Sequence, residues 1–161
     1  MSQLKIAYDE RPYRPCVGIF LLNQHGQVFA GRRIDSRAEA WQMPQGGIDP
    51  GETPIDACMR EMREEIGTNN AVLIKEHSEW LNYDIPMPLA NRLWQGQYKG
   101  QKQKWMALRF AGSDADINIA TPEPEFCEWK WLSPHDLVDL AVPFKRDVYQ
   151  NVLTAFAPIL G

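Results

Sequence analysis

The sequence predicts an α/β fold in which a mixed sheet packs between helices on both faces. Short apolar segments at 16–22, 104–110 and 126–132 are typical of strands with one or both faces buried. Apolar residues at helical spacing over 54–66 and 144–159 predict amphipathic helices among and after these strands. Elements in this order pack most simply as one sheet with helices on both sides.

Length and composition predict one soluble domain over residues 1–161. The 161 residues suffice for a substantial core, and 44% hydrophobic residues indicate a folded globule. The three cysteines lack C-x-x-C spacing, which argues against a disulfide framework and a zinc site. The N-terminus lacks the apolar segment of a signal peptide, and the longest apolar run is too short to cross a bilayer. We therefore expect a cytoplasmic protein with no membrane partner, and a monomer, since nothing in the sequence demands a dimer.

The cationic residues are clustered although the chain is acidic overall. A net charge of −4 is not typical of a nucleic-acid-binding domain. Four basic clusters nevertheless occur: Arg11 and Arg14; Arg32 and Arg33; Lys99, Lys102 and Lys104; and Lys145 and Arg146. If the fold gathers them around an acidic metal site they would hold a polyphosphate; otherwise they are scattered surface charges.

The remaining elements follow from local patterns. A turn at 23–26 separates the first strand from a second at 27–33, and strand-like stretches follow at 71–85. Segment 86–100 contains two prolines and is predicted to be a loop. Ser133 is expected to cap a short helix over 134–140.

The helix over 54–66 has signals at both ends. Thr53 is a suitable N-cap, Pro54 suits the first helical position, and Gly67 is a plausible stop. An apolar stripe formed by Ile55, Cys58 or Met59, Met62 and Ile66 predicts which side faces the core. The acidic residues lie on the opposite side, facing a cleft.

Three glutamates on this helix predict a metal site. Glu61, Glu64 and Glu65 are spaced so that they share one helical face, where like charges repel. Converging hard oxygen ligands suit Mg²⁺ or Mn²⁺, which often also bind substrate phosphates. The alternative is an ordinary solvated surface in which Arg60 and Arg63 neutralise the glutamates.

The residues around the glutamates decide between these readings. The full spacing is G-x5-E-x7-R-E-x-x-E-E-x-G, running from Gly46 to Gly67. This string resembles the box of the Nudix hydrolases, a family that cleaves nucleoside diphosphates linked to another moiety. The resemblance implies an α/β/α sandwich with a mixed sheet. One departure is Thr68, where the family has an aliphatic residue, and it lies outside the acidic cluster.

Segments outside the box are similar to one subgroup of that family, the bacterial RNA 5′-pyrophosphohydrolases, also described as dinucleoside polyphosphate hydrolases. The similar segments are 13–18, 41–47, 100–105, 124–131 and 144–149. The resemblance implies that Glu61, Glu64 and Glu65 coordinate Mg²⁺, with Mn²⁺ as a possible substitute. It adds the Gly46 carbonyl and Glu125 as further ligands, and makes the four glutamates the catalytic set. Glu123 is a neighbour of Glu125 but lies outside the motif.

The resemblance also assigns supporting and substrate-binding residues. Glu52 and Arg60 would pair to hold the loop against the helix. Substrate contacts would come from Arg14, Arg33, Lys102, Lys104, Val142, Phe144 and Lys145. Lys102 and Lys104 occupy alternate positions, so on a strand they share a face. Core packing is the competing reading for Val142 and Phe144.

The implied function is Mg²⁺-dependent removal of pyrophosphate from the 5′-triphosphate end of RNA, which initiates mRNA decay. One alternative substrate is a dinucleoside polyphosphate, with diadenosine tetraphosphate cleaved to ATP and AMP. An alternative from another class is a nucleotide-binding sensor without turnover, but such a protein would be expected to lack a box carboxylate. The sequence identifies no activating protein partner.

Overall fold

A computed structural model describes residues 6–34 and 40–160. Within these ranges the sheet is built from seven strands: β1 (Tyr13–Leu22), β2 (Val28–Arg33), β3 (Trp41–Gln42), β4 (Gln45–Gly47), β5 (Ala71–Asp84), β6 (Gly100–Phe110) and β7 (Phe126–Leu132). The helices in the same ranges are α1 (Pro54–Ile66), α2 (Met87–Arg92), α3 (Asp136–Leu140) and α4 (Arg146–Phe156), with short 3₁₀ turns between elements.

The sheet is mixed, as predicted. Its main path runs β3-β2-β1-β6-β5, with β4 beside β1 and β7 beside β2. Strands β1 and β6 are parallel and remain in register over ten residue pairs from Tyr13 with Gly100 to Leu22 with Arg109. The other pairings are antiparallel. The predicted fold class, a mixed sheet with helices on both faces, is confirmed.

Alternation along β1 and β6 divides the core into two layers. One layer contains Val17, Ile19 and Leu21 of β1 with Met106 and Leu108 of β6, and packs against α1. We call this side of the sheet the α1 face.

The other layer contains Phe20, Leu22, Trp105 and Ala107 and packs against α3 and α4. We call this side the α4 face. Because successive strand residues point to opposite sides, every residue of β1 and β6 is assigned to one face by its position.

Helix α1 has the predicted bounds because both of its ends carry local stop signals. The Thr53 hydroxyl accepts a hydrogen bond from the Asp56 amide at 3.2 Å, which satisfies an otherwise unpaired donor of the first turn. Gly67 ends the helix at φ 79°, and its amide donates to the Arg63 carbonyl. A left-handed residue at this position favours glycine because it has no Cβ.

Three local predictions were wrong. Segment 86–100 is not a plain loop, since it contains α2, which is followed by a tight turn over Leu93–Gly96 with left-handed backbone at Trp94 and Gln95. Pro88 lies in the first turn of α2, where a missing amide hydrogen costs nothing. Ser133 does not cap α3, which begins at Asp136 after His135. The predicted helix over 144–159 is divided into α4 and flanking 3₁₀ turns.

No helix among the described residues is long and apolar enough to cross a bilayer.

Two glycines with similar φ angles allow a test of whether steric contact with Asn118 contributes to the need for glycine at the end of α1. A Cβ at Gly67 would lie 2.8 Å from the Asn118 carbonyl oxygen, whereas one at Gly26, φ 75°, would meet nothing within 4 Å. We expect Gly26→Ala to destabilise the fold by about 1 kcal/mol through backbone strain alone. Gly67→Ala adds a steric clash and should cost about 2–3 kcal/mol. Urea unfolding of both variants measures the difference, and equal losses would contradict a steric role for Asn118.

Candidate active site

The acidic side of α1 lies against β4. Glu61 reaches across to Gly46, where a Cβ would collide with the carboxylate of Glu61. Gly46 pairs with Val17 of β1, so this contact occurs on the α1 face. Only glycine allows the Glu61 side chain to approach the backbone of β4 this closely.

Arg60 connects the loop before α1 to the acidic residues of α1. Its Nε and Nη2 donate to the two carboxylate oxygens of Glu52 at 2.7 and 2.9 Å. Nη2 also donates to the Gly47 carbonyl at 2.9 Å. Nη1 donates to Glu61 at 2.9 Å and to Glu64 at 3.1 Å. The guanidinium therefore fixes the loop and offsets part of the acidic charge.

Glu52 is held in its ionised form by this arrangement. The Arg60 hydrogen bond, followed by one from the Asp49 amide, lowers the pKa of Glu52 from 4.5 to about 2. The amide contact to Asp49 measures 2.9 Å. Glu52 thus joins the loop and the helix as a permanently charged partner of Arg60.

Glu65 is a buried carboxylate with incomplete hydrogen bonding. Only 6% of the residue is exposed, and its Oε2 has no hydrogen-bond partner. Burial, and then the charges of Glu61 and Glu125, raise its pKa well above the usual value, although the Gln45 amide and Arg33 oppose the shift. A buried charge in this state is costly unless a cation joins it.

Glu61 is also shifted toward protonation. Its pKa is raised mainly by burial and also by Glu64, while Arg60 and Arg14 oppose the rise. Two neighbouring carboxylates that resist ionisation in the same region are typical of a functional site.

The donor set fits a divalent cation. It consists of hard carboxylate oxygens, one of them buried and unpartnered, close to the backbone of β4. Among the described residues, no three acidic, histidine or cysteine side chains stand ready to hold a metal as they lie. Glu61 and Glu64 instead each place one oxygen on Arg60 Nη1.

Glu125 lies just before β7 and faces this cluster. Its Oε2 is 3.4 Å from Nη2 of Arg33, and its carbonyl accepts the Ile34 amide at 2.9 Å. Its charge contributes to the raised pKa of Glu65. Glu123 is exposed, whereas Glu125 is half-buried. The structure therefore places Glu125 and Arg33 beside the helix glutamates.

Several predicted substrate contacts meet on the α4 face. The Arg14 guanidinium lies 5.0 Å from the Trp94 ring centroid and so close to Gly47 that a Cβ there would collide with it. Phe144 packs against Tyr83 with 5.9 Å between ring centroids. Lys145 Nζ donates to the Gln42 side chain at 3.1 Å. Val142, half-buried, precedes them in the same segment.

Lys102 and Lys104 lie on the opposite side of the sheet. Lys104 pairs with Val17 and Lys102 with Pro15, so both lysines belong to the α1 face. Arg14, which pairs with Gln101, belongs to the α4 face. The predicted substrate-binding residues are thus divided between two surfaces.

A buried chain of glutamines was missed by sequence reasoning. Gln103 Nε2 donates to the Gln45 side chain at 2.8 Å and to the Gln101 side chain at 2.9 Å. Trp105 donates to Gln103 at 3.1 Å. The signal was present, because lysines at alternate positions of a strand require the intervening glutamines to face the other way. Polar residues on that buried side line a site or satisfy each other.

Comparison with known proteins agrees with the resemblance to the Nudix hydrolases that the sequence indicates. Residues 12–152 match the family model described as NUDIX domain. An RNA pyrophosphohydrolase of Rhodospirillum rubrum is 59% identical over 146 residues, which cover 91% of this chain and 88% of that protein. An RNA pyrophosphohydrolase of Rickettsia typhi is 50% identical over 153 residues, which cover 95% of both chains.

Solved structures share the fold at low identity. A dihydroneopterin triphosphate pyrophosphohydrolase of E. coli superposes with a TM-score of 0.67 at 20% identity, covering 89% of this chain and 99% of that chain. An Ap4A hydrolase of C. elegans in a binary complex gives 0.65 at 19% identity, covering 90% and 98%.

The Glu52–Arg60 pair generates a pH prediction. Because the pKa of Glu52 is lowered in the folded state, its ionisation stabilises the fold above about pH 4.5, and this contribution is lost as the pH falls toward 2. Wild type should therefore be more stable than Glu52→Gln at neutral pH, with the difference shrinking below pH 4.5. Urea midpoints across pH measure this. Glu123→Gln, at an exposed site, is the control, and a difference independent of pH would contradict the ion pair.

Proposed function

The chain belongs to the NUDIX domain family, and we propose that it removes pyrophosphate from the 5′-triphosphate end of RNA, so that the RNA enters decay. Relatives named RNA pyrophosphohydrolase support this substrate, since their similarity extends over about nine-tenths of the chain. Family membership makes the chain a hydrolase of phosphoric anhydride bonds that depends on a divalent cation.

The observation that carries the proposal is the buried Glu65 carboxylate with its unpartnered oxygen. It lies beside Glu61 and Glu125 and is reached by the charge of Arg33. A cation bound there would meet phosphates held by basic side chains, which is the combination that phosphoryl chemistry requires.

Each part of the site has a role in this reaction. Glu61, Glu64 and Glu65 would hold Mg²⁺, or Mn²⁺, with the Gly46 carbonyl and Glu125 as further ligands. When bound, the cation supplies charge neutralisation at the phosphate oxygens and polarises the attacking water. Arg60 and Glu52 keep the loop in place so that the glutamates do not reorganise during the reaction.

Water attacks the phosphate chain and the anhydride bond between the first and second phosphates breaks, which yields 5′-monophosphate RNA and pyrophosphate. A glutamate accepts the proton of the water. Glu125, which approaches the glutamates of α1 from the start of β7, would position this water or take its proton. Its position is set by Arg33 at 3.4 Å.

The α4 face receives the 5′ nucleotides. Arg14 binds phosphate oxygens there, and Lys145 adds a further cation beside Gln42. Arg33 binds phosphate from the other side, beside Glu125 and the helix glutamates. Val142 and Phe144 form an apolar wall on which a base stacks, with Tyr83 packed behind Phe144 at 5.9 Å.

A dinucleoside polyphosphate is a second candidate substrate. Trp94 and Tyr98 form an edge-to-face pair at 5.8 Å next to Arg14. This pair offers a second aromatic wall, which a substrate with two nucleosides would occupy.

A direct competition distinguishes the two substrates. We expect kcat/KM with Mg²⁺ to be orders of magnitude higher for 5′-triphosphate RNA than for diadenosine tetraphosphate. Glu64→Gln should lower both by at least about 10²-fold because it removes a cation ligand. A higher kcat/KM for the dinucleotide would overturn the RNA assignment, and an undiminished kcat/KM in Glu64→Gln would overturn the metal site.

Glu65→Gln separates metal binding from catalysis. In chelator, the variant should unfold roughly 3–8 °C above wild type, since it removes a buried charge that costs about 1–2 kcal/mol. Adding Mg²⁺ should raise the Tm of wild type but not that of the variant. Differential scanning calorimetry measures both shifts, with Glu123→Gln as the control. A variant less stable than wild type in chelator would show that the Glu65 charge is already compensated.

A further inference from the structure

We propose that Trp80, Lys102 and Lys104 form a second binding surface, which holds nucleotides of the RNA substrate beyond those at its 5′ end. We call these three residues the Trp80 surface. The inference rests on the proposed function, because it assumes that the substrate is an RNA chain.

The strand register places this surface in line with the glutamates. On one side Lys104 pairs with Trp80 of β5, and on the other it pairs with Val17 of β1. Val17 in turn pairs with Gly46, against which the Glu61 carboxylate lies. Directly paired residues share a face, so all of them belong to the α1 face. Neighbouring strands are about 4.8 Å apart, which puts the Trp80 backbone about 14 Å from Gly46.

The side chains of the surface contact one another. The Nζ atoms of Lys102 and Lys104 lie 5.6 and 5.9 Å from the centroid of the Trp80 ring. Trp80 is 43% exposed although it is a large aromatic residue. Lysines beside an exposed aromatic ring are the combination that binds single-stranded nucleic acid, with phosphates at the cations and a base on the ring.

A second lysine–aromatic pair extends the same face. Lys99 Nζ lies 4.9 Å from the ring centroid of Tyr13, and Tyr13 pairs with Gly100 at the start of β6. The nearby acidic residue Asp84 accepts a hydrogen bond from the Tyr13 hydroxyl at 2.5 Å. The three lysines supply positive charge that a polyanion would meet, while Glu76 of β5, which pairs with Met106, lies on the same face farther along the strand.

Helix α1 leaves this part of the sheet uncovered. It packs on Met106 and Leu108, in the C-terminal half of β6, whereas Lys102 is exposed and Lys104 half-exposed in the N-terminal half. Strand β5 lies at the edge of the sheet, so Trp80 faces solvent at its outer limit. The charge and the aromatic ring together favour RNA over an apolar partner surface.

Substrate length provides the first test. The test compares kcat/KM for two substrates, a 5′-triphosphate RNA of about ten nucleotides and a 5′-triphosphate dinucleotide. We expect Trp80→Ala to lower the ratio of the first value to the second by about tenfold. The loss should appear in KM, because stacking far from the reacting phosphates binds ground and transition states equally. Trp80→Phe should restore most of the ratio. An unchanged ratio in Trp80→Ala would overturn the inference.

Salt dependence provides a test that does not remove the tryptophan. Lys102→Ala should reduce the slope of log kcat/KM against log salt by about 0.7 on the longer RNA, which corresponds to one lost phosphate contact on a single strand. Lys75→Ala is the matched control, since Lys75 lies on β5 but points to the α4 face, where its Nζ contacts the Ala155 carbonyl. Equal slopes in the two variants would contradict a phosphate contact at Lys102.

Product inhibition distinguishes the RNA chain from the leaving group. An oligonucleotide of the same length with a 5′ hydroxyl should inhibit Trp80→Ala about tenfold less than wild type, with inhibition by pyrophosphate unchanged. Weakened inhibition by pyrophosphate alone would assign the surface to the leaving group instead. If wild type turned over no RNA at all, the proposed function itself would be wrong. That result is distinct from an unchanged ratio of kcat/KM between the longer RNA and the dinucleotide, which would overturn only the Trp80 surface.

Discussion

The acidic site depends on the hydrogen bonds that the Arg60 guanidinium donates. The guanidinium joins Glu52 in the loop, the Gly47 carbonyl in β4, and Glu61 and Glu64 on α1. Without a cation at this point, the helix carboxylates would repel each other and the loop would lose its attachment to the sheet. The five donors of one planar group satisfy acceptors from three elements, which lysine could not do.

Stability and activity make opposite demands on this site. Glu65 is buried with an unpartnered oxygen, and both Glu65 and Glu61 have raised pKa values because burial disfavours their charge. The rest of the α1 layer is apolar and well buried, with Met62 and Ile66 fully enclosed. The fold therefore tolerates unfavourable electrostatics on one side of α1 because the other side packs completely.

The sequence was informative where structure is decided locally. The bounds of α1 follow from Thr53 and Gly67, since capping depends on neighbouring residues only. Segment 86–100 was mispredicted because its two prolines indicate a loop, whereas Pro88 fits the first turn of α2. No local signal indicates the left-handed backbone angles of Trp94 and Gln95, φ 47° and 58°. The Trp94 ring instead packs on Arg14, a contact between distant parts of the chain. Likewise, the separation of Lys102 from Arg14 required the register of β1 with β6.

At Gly46 and Gly47, strand β4 has no side chains to separate the two faces of the sheet. Gly46 admits the Glu61 carboxylate from one side, and Gly47 admits the Arg14 guanidinium from the other. Side chains on both surfaces of a sheet ordinarily keep charges on opposite sides well apart, but here only a peptide backbone intervenes. Accordingly, Arg14 acts on the ionisation of Glu61 from across the sheet. An anion held by Arg14 would alter the electrostatic potential at the carboxylates, so anion binding on one face and cation binding on the other would be thermodynamically linked across the two glycines.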